Sequence, residues 1–153
     1  MTEIKFIVRP LAGNDFEAVI ELDRISGGSS RRGFFEKRER AMEHDPNVFI
    51  GLVACADGQL VGFVTACILY GEFGGDKRVA VLDALAVTPD HRGSGVGHRL
   101  LQELIGEVRQ RGGRELQTQA EWNQPGLVDF FNSVGFILAP RLVLERSTED
   151  VGF

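Results

Sequence analysis

The sequence predicts an α+β fold: a mixed, mostly antiparallel sheet with helices on both faces, an α/β/α sandwich. Two stretches carry this expectation. Apolar residues alternate on either side of Asp57-Gly58, which spells an antiparallel hairpin. A nearly continuous apolar run, Val79 to Val87, then leads through a glycine-rich turn into the clearest helical stripe of the chain. With 153 residues, 43% of them hydrophobic, the chain can bury a core without a second domain. Residues 1–146 are expected to form that one domain and residues 147–153 a short loose tail.

In chain order, Ile4 to Arg9 is an apolar-rich run stopped by Pro10 and suits a first strand. Asn14-x-x-Glu17 offers a capping box, and Phe16, Val19, Ile20 and Asp23 fall on helical spacing. A helix is expected there from Asp15 to Arg24, ended by Gly27-Gly28-Ser29-Ser30. From Arg31 to His44, Phe34, Phe35, Arg38, Ala41 and Met42 mark a second helix, with Arg31, Arg32, Lys37, Arg38 and Arg40 on its charged face. Val48, Ile50, Leu52 and Ala54 alternate up to the hairpin turn, and the chain resumes as Leu60 to Tyr70. Val79 to Val87, interrupted by Asp83, reads as a central strand. Val96, Leu100, Leu101, Leu104, Ile105 and Val108 make the third helix, closed by Gly112-Gly113. Leu116 to Ala120 is strand-like, Leu127 to Val134 is a short helix begun after Pro125, and Phe136 to Leu138 with Leu142 to Arg146 are two closing strands. The expected order is β-α-α-β-β-β-α-β-α-β-β.

A net charge of −5 argues against a general nucleic-acid binder, which needs clustered positive charge in excess. Cys55 and Cys67 lack metal-ligand spacing and sit in apolar runs, as buried thiols in a reducing compartment do. His44, His91 and His98 are too scattered to suggest a metal. The first residues, Met1 to Lys5, carry no basic segment followed by a long apolar one, and no run reaches membrane-spanning length, so the cytoplasm is the expected location.

The chemistry concentrates in His91-Arg92-Gly93-Ser94-Gly95-Val96-Gly97-His98. Three glycines in five positions let the backbone turn tightly and clear side chains from its amides, and a helix opening there adds unpaired N–H groups and a positive dipole end. That combination holds phosphate oxygens. A triphosphate loop would need Lys and Ser or Thr after the last glycine, where His98 and Arg99 stand; a dinucleotide fingerprint would need a third glycine at Leu100. What remains is Arg92-x-x-Gly95-x-Gly97, which resembles the signature of the GCN5-related N-acetyltransferase (GNAT) family. The lead-in Leu85-Ala86-Val87-x-Pro89-x-x-Arg92-Gly93 resembles that family's strand-to-loop passage. Asn123, followed by Phe130-Phe131-x-x-x-Gly135-Phe136, resembles its later motif.

The resemblance implies the acyl-CoA N-acyltransferase fold, acetyl-CoA as cosubstrate, and direct transfer of the acetyl group to an amine of a small molecule or protein. It implies backbone contacts to the cofactor from Leu85, Ala86 and Val87, and loop contacts from Arg92, Gly93, Ser94, Gly95, Val96, Gly97 and His98. Asn123 and Phe131 would lie beside the pantetheine arm. Many relatives place a proton-donating tyrosine where Phe131 stands, and phenylalanine has no proton to give. Tyr70, the sole tyrosine, is then a candidate acid, and Asp83 and Glu121 are candidate bases or water-relay groups. The alternative is an acyl-CoA-binding sensor without turnover. The segment from Asp23 to Glu39 is expected to wall the acceptor site, its arginines suiting a carboxylate- or phosphate-bearing acceptor. Edge strands near the C-terminus suit pairing into a homodimer.

Overall fold

Period-two apolar runs become strands and period-3.6 runs become helices in nearly the order expected. The computed structural model describes residues 4–70, 77–120, 125–149 and 151–152. Its elements are β1 (Ile7–Pro10), α1 (Phe16–Gly27), α2 (Arg32–His44), β2 (Phe49–Ala56), β3 (Gln59–Tyr70), β4 (Arg78–Val87), α3 (Val96–Gln110), β5 (Glu115–Gln117) and α4 (Pro125–Ser133). Contacts divide the chain into two units, Met1–Gln119 and Ala120–Phe153.

The first unit holds one sheet in the order β1-β2-β3-β4-β5, with β1 to β4 antiparallel and β5 parallel to β4. Pro10 ends β1 on the sheet's edge, where a missing N–H breaks no ladder. Beneath α1 and α2 lies a core of Phe16, Val19, Ile20, Leu22, Phe35, Val53, Phe63, Ala84 and Ala86. Phe35 is fully buried and meets Phe34 and Phe63 edge-on at 5.0 and 5.7 Å. On the other face α3 closes over Gly62, where an added Cβ would stand 3.0 Å from Val96 and 3.1 Å from Leu100. Arg111, just past α3, donates to the carbonyls of Pro46 and Phe49, both at 2.8 Å, and so ties the α2–β2 connection to that end of the helix.

The ladder between β3 and β4 skips one residue. Thr65 faces Ala84 and Ala66 faces Leu82, so Asp83 bulges out of register. The skip exchanges the faces of β4. Asp83 joins Ala84 and Ala86 beneath α2, whereas Leu85 and Val87, which would share Asp83's face in a regular strand, lie on the α3 side.

The entry to α1 differs from the expected box at Asn14 and Glu17. A 3-10 turn at Gly13–Asp15 precedes the helix, and the side chain engaged there is Asp15, which accepts the Ala12 N–H at 2.8 Å and two Arg9 nitrogens at 2.7 and 2.9 Å. Asp15 sits three residues past Ala12 and reaches its amide, while Arg9 adds a charge that Asn14 has no means to match.

In the second unit α4 ends in a Schellman cap: Phe136 N–H donates to Phe131 O at 3.0 Å and Gly135 N–H to Asn132 O at 3.2 Å, with Gly135 at φ +93°. Phe131 is buried, with Phe130 and Phe136 at 5.5 and 5.0 Å. The two closing strands expected at Phe136 to Leu138 and Leu142 to Arg146 are a correction, since the described backbone beyond Gln117 forms no strand. Apolar composition alone does not make a strand without a ladder partner, and the Arg141 N–H folds back on Ala139 O at 2.8 Å instead. Arg146 donates to the Gly152 carbonyl within the tail. No helix among the described residues is long and apolar enough to cross a membrane.

Arg9, together with the Ala12 amide, holds the Asp15 carboxyl below the ordinary carboxylate range. The contribution is therefore present above the unfolded carboxylate pKa and disappears as pH falls through the lower folded value. Asp15→Asn is expected to cost roughly 1–2 kcal/mol at pH 7, partly screened because Arg9 reaches solvent, with the gap to the parent closing below about pH 4 in urea titrations.

Candidate functional site

Two features of β4 set up a ligand site: an edge that loses its neighbour, and the loop that follows. Pairing with β5 covers Val79–Glu115, Ala80–Leu116 and Val81–Gln117 and then stops. A Thr118 hydroxyl on Leu82 O, at 3.2 Å, is the last bridge described. Past it, no strand among the described residues pairs with the outer edge of β4.

Which groups that edge offers follows from the ladder on its inner side. Thr88 N–H donates to Val61 O at 2.8 Å, which makes Gly62–Val87 a non-hydrogen-bonded pair. By alternation Ala86 bonds Phe63, and Leu85 and Val87 turn their N–H and C=O groups outward. Of the three strand residues expected to contact cofactor, Leu85 and Val87 turn their backbone groups to the open edge, where Arg92 occupies the Val87 carbonyl; Ala86 turns its amide and carbonyl to β3.

The chain then makes a 3-10 turn at Pro89–His91, where the Thr88 hydroxyl and His91 Nδ1 share a hydrogen bond at 2.8 Å, and passes through Arg92 to Gly95 into α3. Gly93 and Gly95 adopt φ of +79° and +87°, a region costly to residues with a Cβ, and an added Cβ at either would meet open space. The loop's glycines are thus required by backbone conformation, and the ground above them is clear. The Arg99 N–H bonds Gly95 O at 3.0 Å, so the amides of Gly95, Val96 and Gly97 precede the first intrahelical bond of a 15-residue helix. Arg92 folds back, its Nε donating to Val87 O at 3.1 Å and Nη2 to Ser26 Oγ at 3.4 Å. Strand edge and amide cradle are consecutive in the chain, as a ligand with an amide-bearing arm and a diphosphate requires.

Asp83 stands two residues before Leu85, on the face toward α2. Oδ1 accepts the Thr65 hydroxyl, Oδ2 is ion-paired with Arg38 Nη2 at 2.8 Å, and the Cys67 thiol lies 3.6 Å from Oδ2. Burial first, and the nearby Asp83 charge second, push the Cys67 thiol up to about 11. Arg38 also lies over the Phe34 ring at 4.7 Å, and Arg31 over the same ring at 5.1 Å.

Tyr70, expected as a candidate acid, lies away from Asp83 and from the end of β4 that leads into the glycine loop. It pairs with Arg78 at the far end of β4, half-exposed and stacked under that guanidinium at 5.0 Å. At about 3.4 Å per residue, five strand positions separate its level from Asp83 by roughly 17 Å and nine separate it from Val87 by roughly 30 Å. Glu121 and Asn123 lie outside the described residues. The arginines of the segment from Asp23 to Glu39 also differ in kind from a free cationic surface. Arg24, Arg31, Arg32 and Arg38 each carry a carboxylate partner, respectively Glu21, Asp23, Glu17 and Asp83. Thr65 was not singled out by sequence reasoning. Its signal is a hydroxyl in the middle of an apolar strand, fully buried and opposite the bulge.

Comparison with known proteins agrees with this geometry. Residues 16–136 match the model described as Acetyltransferase (GNAT) family. An uncharacterised N-acetyltransferase of Methanocaldococcus jannaschii is 27% identical over 139 residues, 86% of this chain, and the chain spans only 60% of that relative's length. An acetyltransferase of Pectobacterium atrosepticum is 27% identical over 146 residues, covering 91% of this chain and 97% of the relative. Among solved structures, an aminoglycoside N-acetyltransferase in complex with CoA superposes with a TM-score of 0.81 at 18% identity, covering 96% of this chain and 97% of that one, so the fold is shared.

A thiol at about 11 is almost entirely protonated at pH 8. Alkylation of Cys67 by iodoacetamide is therefore expected to run on the order of a hundred-fold slower than that of an ordinary thiol of pKa 8.5, and Asp83→Asn should accelerate it, as read by peptide mass spectrometry.

Proposed function

The chain belongs to the acetyltransferase (GNAT) family, and from that premise we infer that it is an acetyl-CoA-dependent N-acetyltransferase that moves the acetyl group to the amine of a small molecule. The observation that carries the reading is the junction of an unpaired β4 edge with an amide cradle. The pantetheine arm pairs with the outward groups of Leu85 and Val87, and the diphosphate sits on the amides from Gly93 to His98. Asn123 and Phe131 belong to the cofactor side of this reading, and Arg92 leaves Val87 O to the arriving amide.

In the transfer, the acceptor nitrogen forms a bond to the thioester carbonyl carbon, the carbon–sulfur bond breaks, and the amine's proton is lost. The products are an N-acetyl amide and CoA. A free alkylamine with a pKa of about 10 is nearly all protonated at neutral pH, so the proton has to be taken up before or during attack. Asp83, or an ordered water held by it or by Glu121, is the base in this proposal. Carbonyl polarisation comes from an outward N–H of Leu85 or Val87. A departing thiolate whose acid has a pKa of only about 8.5 leaves without a dedicated proton donor, which suits phenylalanine at position 131.

The acceptor enters beside α1 and α2 and carries an anionic group in this reading. A cytoplasmic setting suits both the cosubstrate and the free thiols Cys55 and Cys67, and in this reading two copies associate as a homodimer.

Incubation with acetyl-CoA and a panel of amines should release CoA thiol and yield acetylated amine by mass spectrometry. CoA should also raise the melting temperature, and Gly95→Val should abolish that shift while the variant stays folded, since strain at φ +87° costs only about 1–2 kcal/mol. Tight CoA binding without turnover on any amine would instead indicate a sensor.

A further inference from the structure

Arginine–carboxylate pairs recur around the first two helices, and one is built differently. Arg9 with Asp15, Arg24 with Glu21, Arg31 with Asp23 and Arg32 with Glu17 each bring two guanidinium nitrogens to two carboxylate oxygens, at 2.5–3.0 Å. Arg38 meets Asp83 through Nη2 on Oδ2, while Oδ1 is held by the Thr65 hydroxyl. Its Nε–H is buried and has no partner among the described residues.

A buried N–H without an acceptor is destabilising, and a guanidinium cannot escape by losing its proton. The Phe34 ring, at 4.7 Å, and the Asp83 ion pair restrain the head group from turning toward water. The pair is not sealed in, however: the Arg38 side chain is 28% exposed and that of Asp83 13%. An unanswered donor, itself buried, is thus held beside a carboxylate in a partly exposed ion pair, two residues from the strand edge assigned to the cosubstrate's arm.

Resting on the transferase reading above, we propose that Arg38 Nε–H docks the carboxylate of the acceptor, and that the acceptor is a small zwitterion of the amino-acid type whose amino group is set against Asp83. The two charges of such a molecule complete an alternating arrangement with Asp83 and Arg38, which a partly desolvated site favours. A purely cationic amine, whether a polyamine or an amino sugar, would leave the Nε–H unanswered. A purely anionic ligand would face Asp83 with nothing to offset it. The planar fork of arginine suits a carboxylate, and lysine does not reproduce it.

The test compares free amino acids with their methyl esters and with the corresponding plain amines, as pH-independent kcat/KM values with acetyl-CoA. It also measures calorimetric binding of the same compounds to CoA-loaded protein, which does not depend on turnover. The acid is expected to exceed its ester by about ten-fold or more, and Arg38→Lys, checked for folding by circular dichroism, should collapse that ratio mainly through KM. Acetylation of esters and plain amines as well as acids, or an unchanged ratio in Arg38→Lys, overturns the proposal and leaves the transferase reading standing. Selective binding of the acid without turnover supports this docking site and overturns the transferase reading. No binding and no turnover with any compound overturns both.

Discussion

One extra residue in β4 governs how the site is put together. Strand side chains alternate strictly, so without the bulge Asp83, Leu85 and Val87 would share a face, and the carboxylate would sit over α3 or the aliphatic pair under α2. The skip at Asp83 breaks that parity and lets a single strand deliver a carboxylate toward α2 while its next residues turn aliphatic side chains to α3. It also leaves the edge backbone of Leu85 and Val87 outward, where β5 no longer covers it.

The fold was legible because its main elements have strong local signals. The stripe of Val96, Leu100, Leu101, Leu104 and Val108 became the buried face of α3, and the alternation around Asp57-Gly58 became the β2–β3 hairpin. The glycine cradle was legible for the same reason, since left-handed φ at Gly93 and Gly95 is a requirement that residue type reveals. Pairing relations were less visible. The bulge at Asp83, the end of the β4–β5 ladder at Val81 and the partner of each arginine depend on residues far apart in sequence, and periodicity does not report them. Tyr70 shows the same limit from another side. It is the sole tyrosine, and the antiparallel turn-back of the chain carries it to the end of β4 opposite the glycine loop, which residue type does not report.

Binding through main-chain groups, as proposed above, is compatible with a fold shared with a solved structure at only 18% identity. A ligand that pairs with strand amides and loop amides asks for backbone shape and for glycine at a few positions, and leaves most side chains unconstrained. The acceptor side differs in this respect. Asp83, Arg38, Thr65 and Phe34 meet one another through their side chains, so in the proposed reading their identities would carry the information about what is acetylated.

A strand edge that no described strand covers has a second consequence. The outward groups of Leu85 and Val87 form a template on which any extended peptide, including one from a misfolded neighbour, can add itself. Arg92 stands at that template as a gatekeeper, placing a charge and a filled carbonyl where an invading strand would begin. In the proposed reading the cosubstrate would occupy the same row of hydrogen bonds as this gatekeeper, and colloidal behaviour in storage would then be linked to cosubstrate supply.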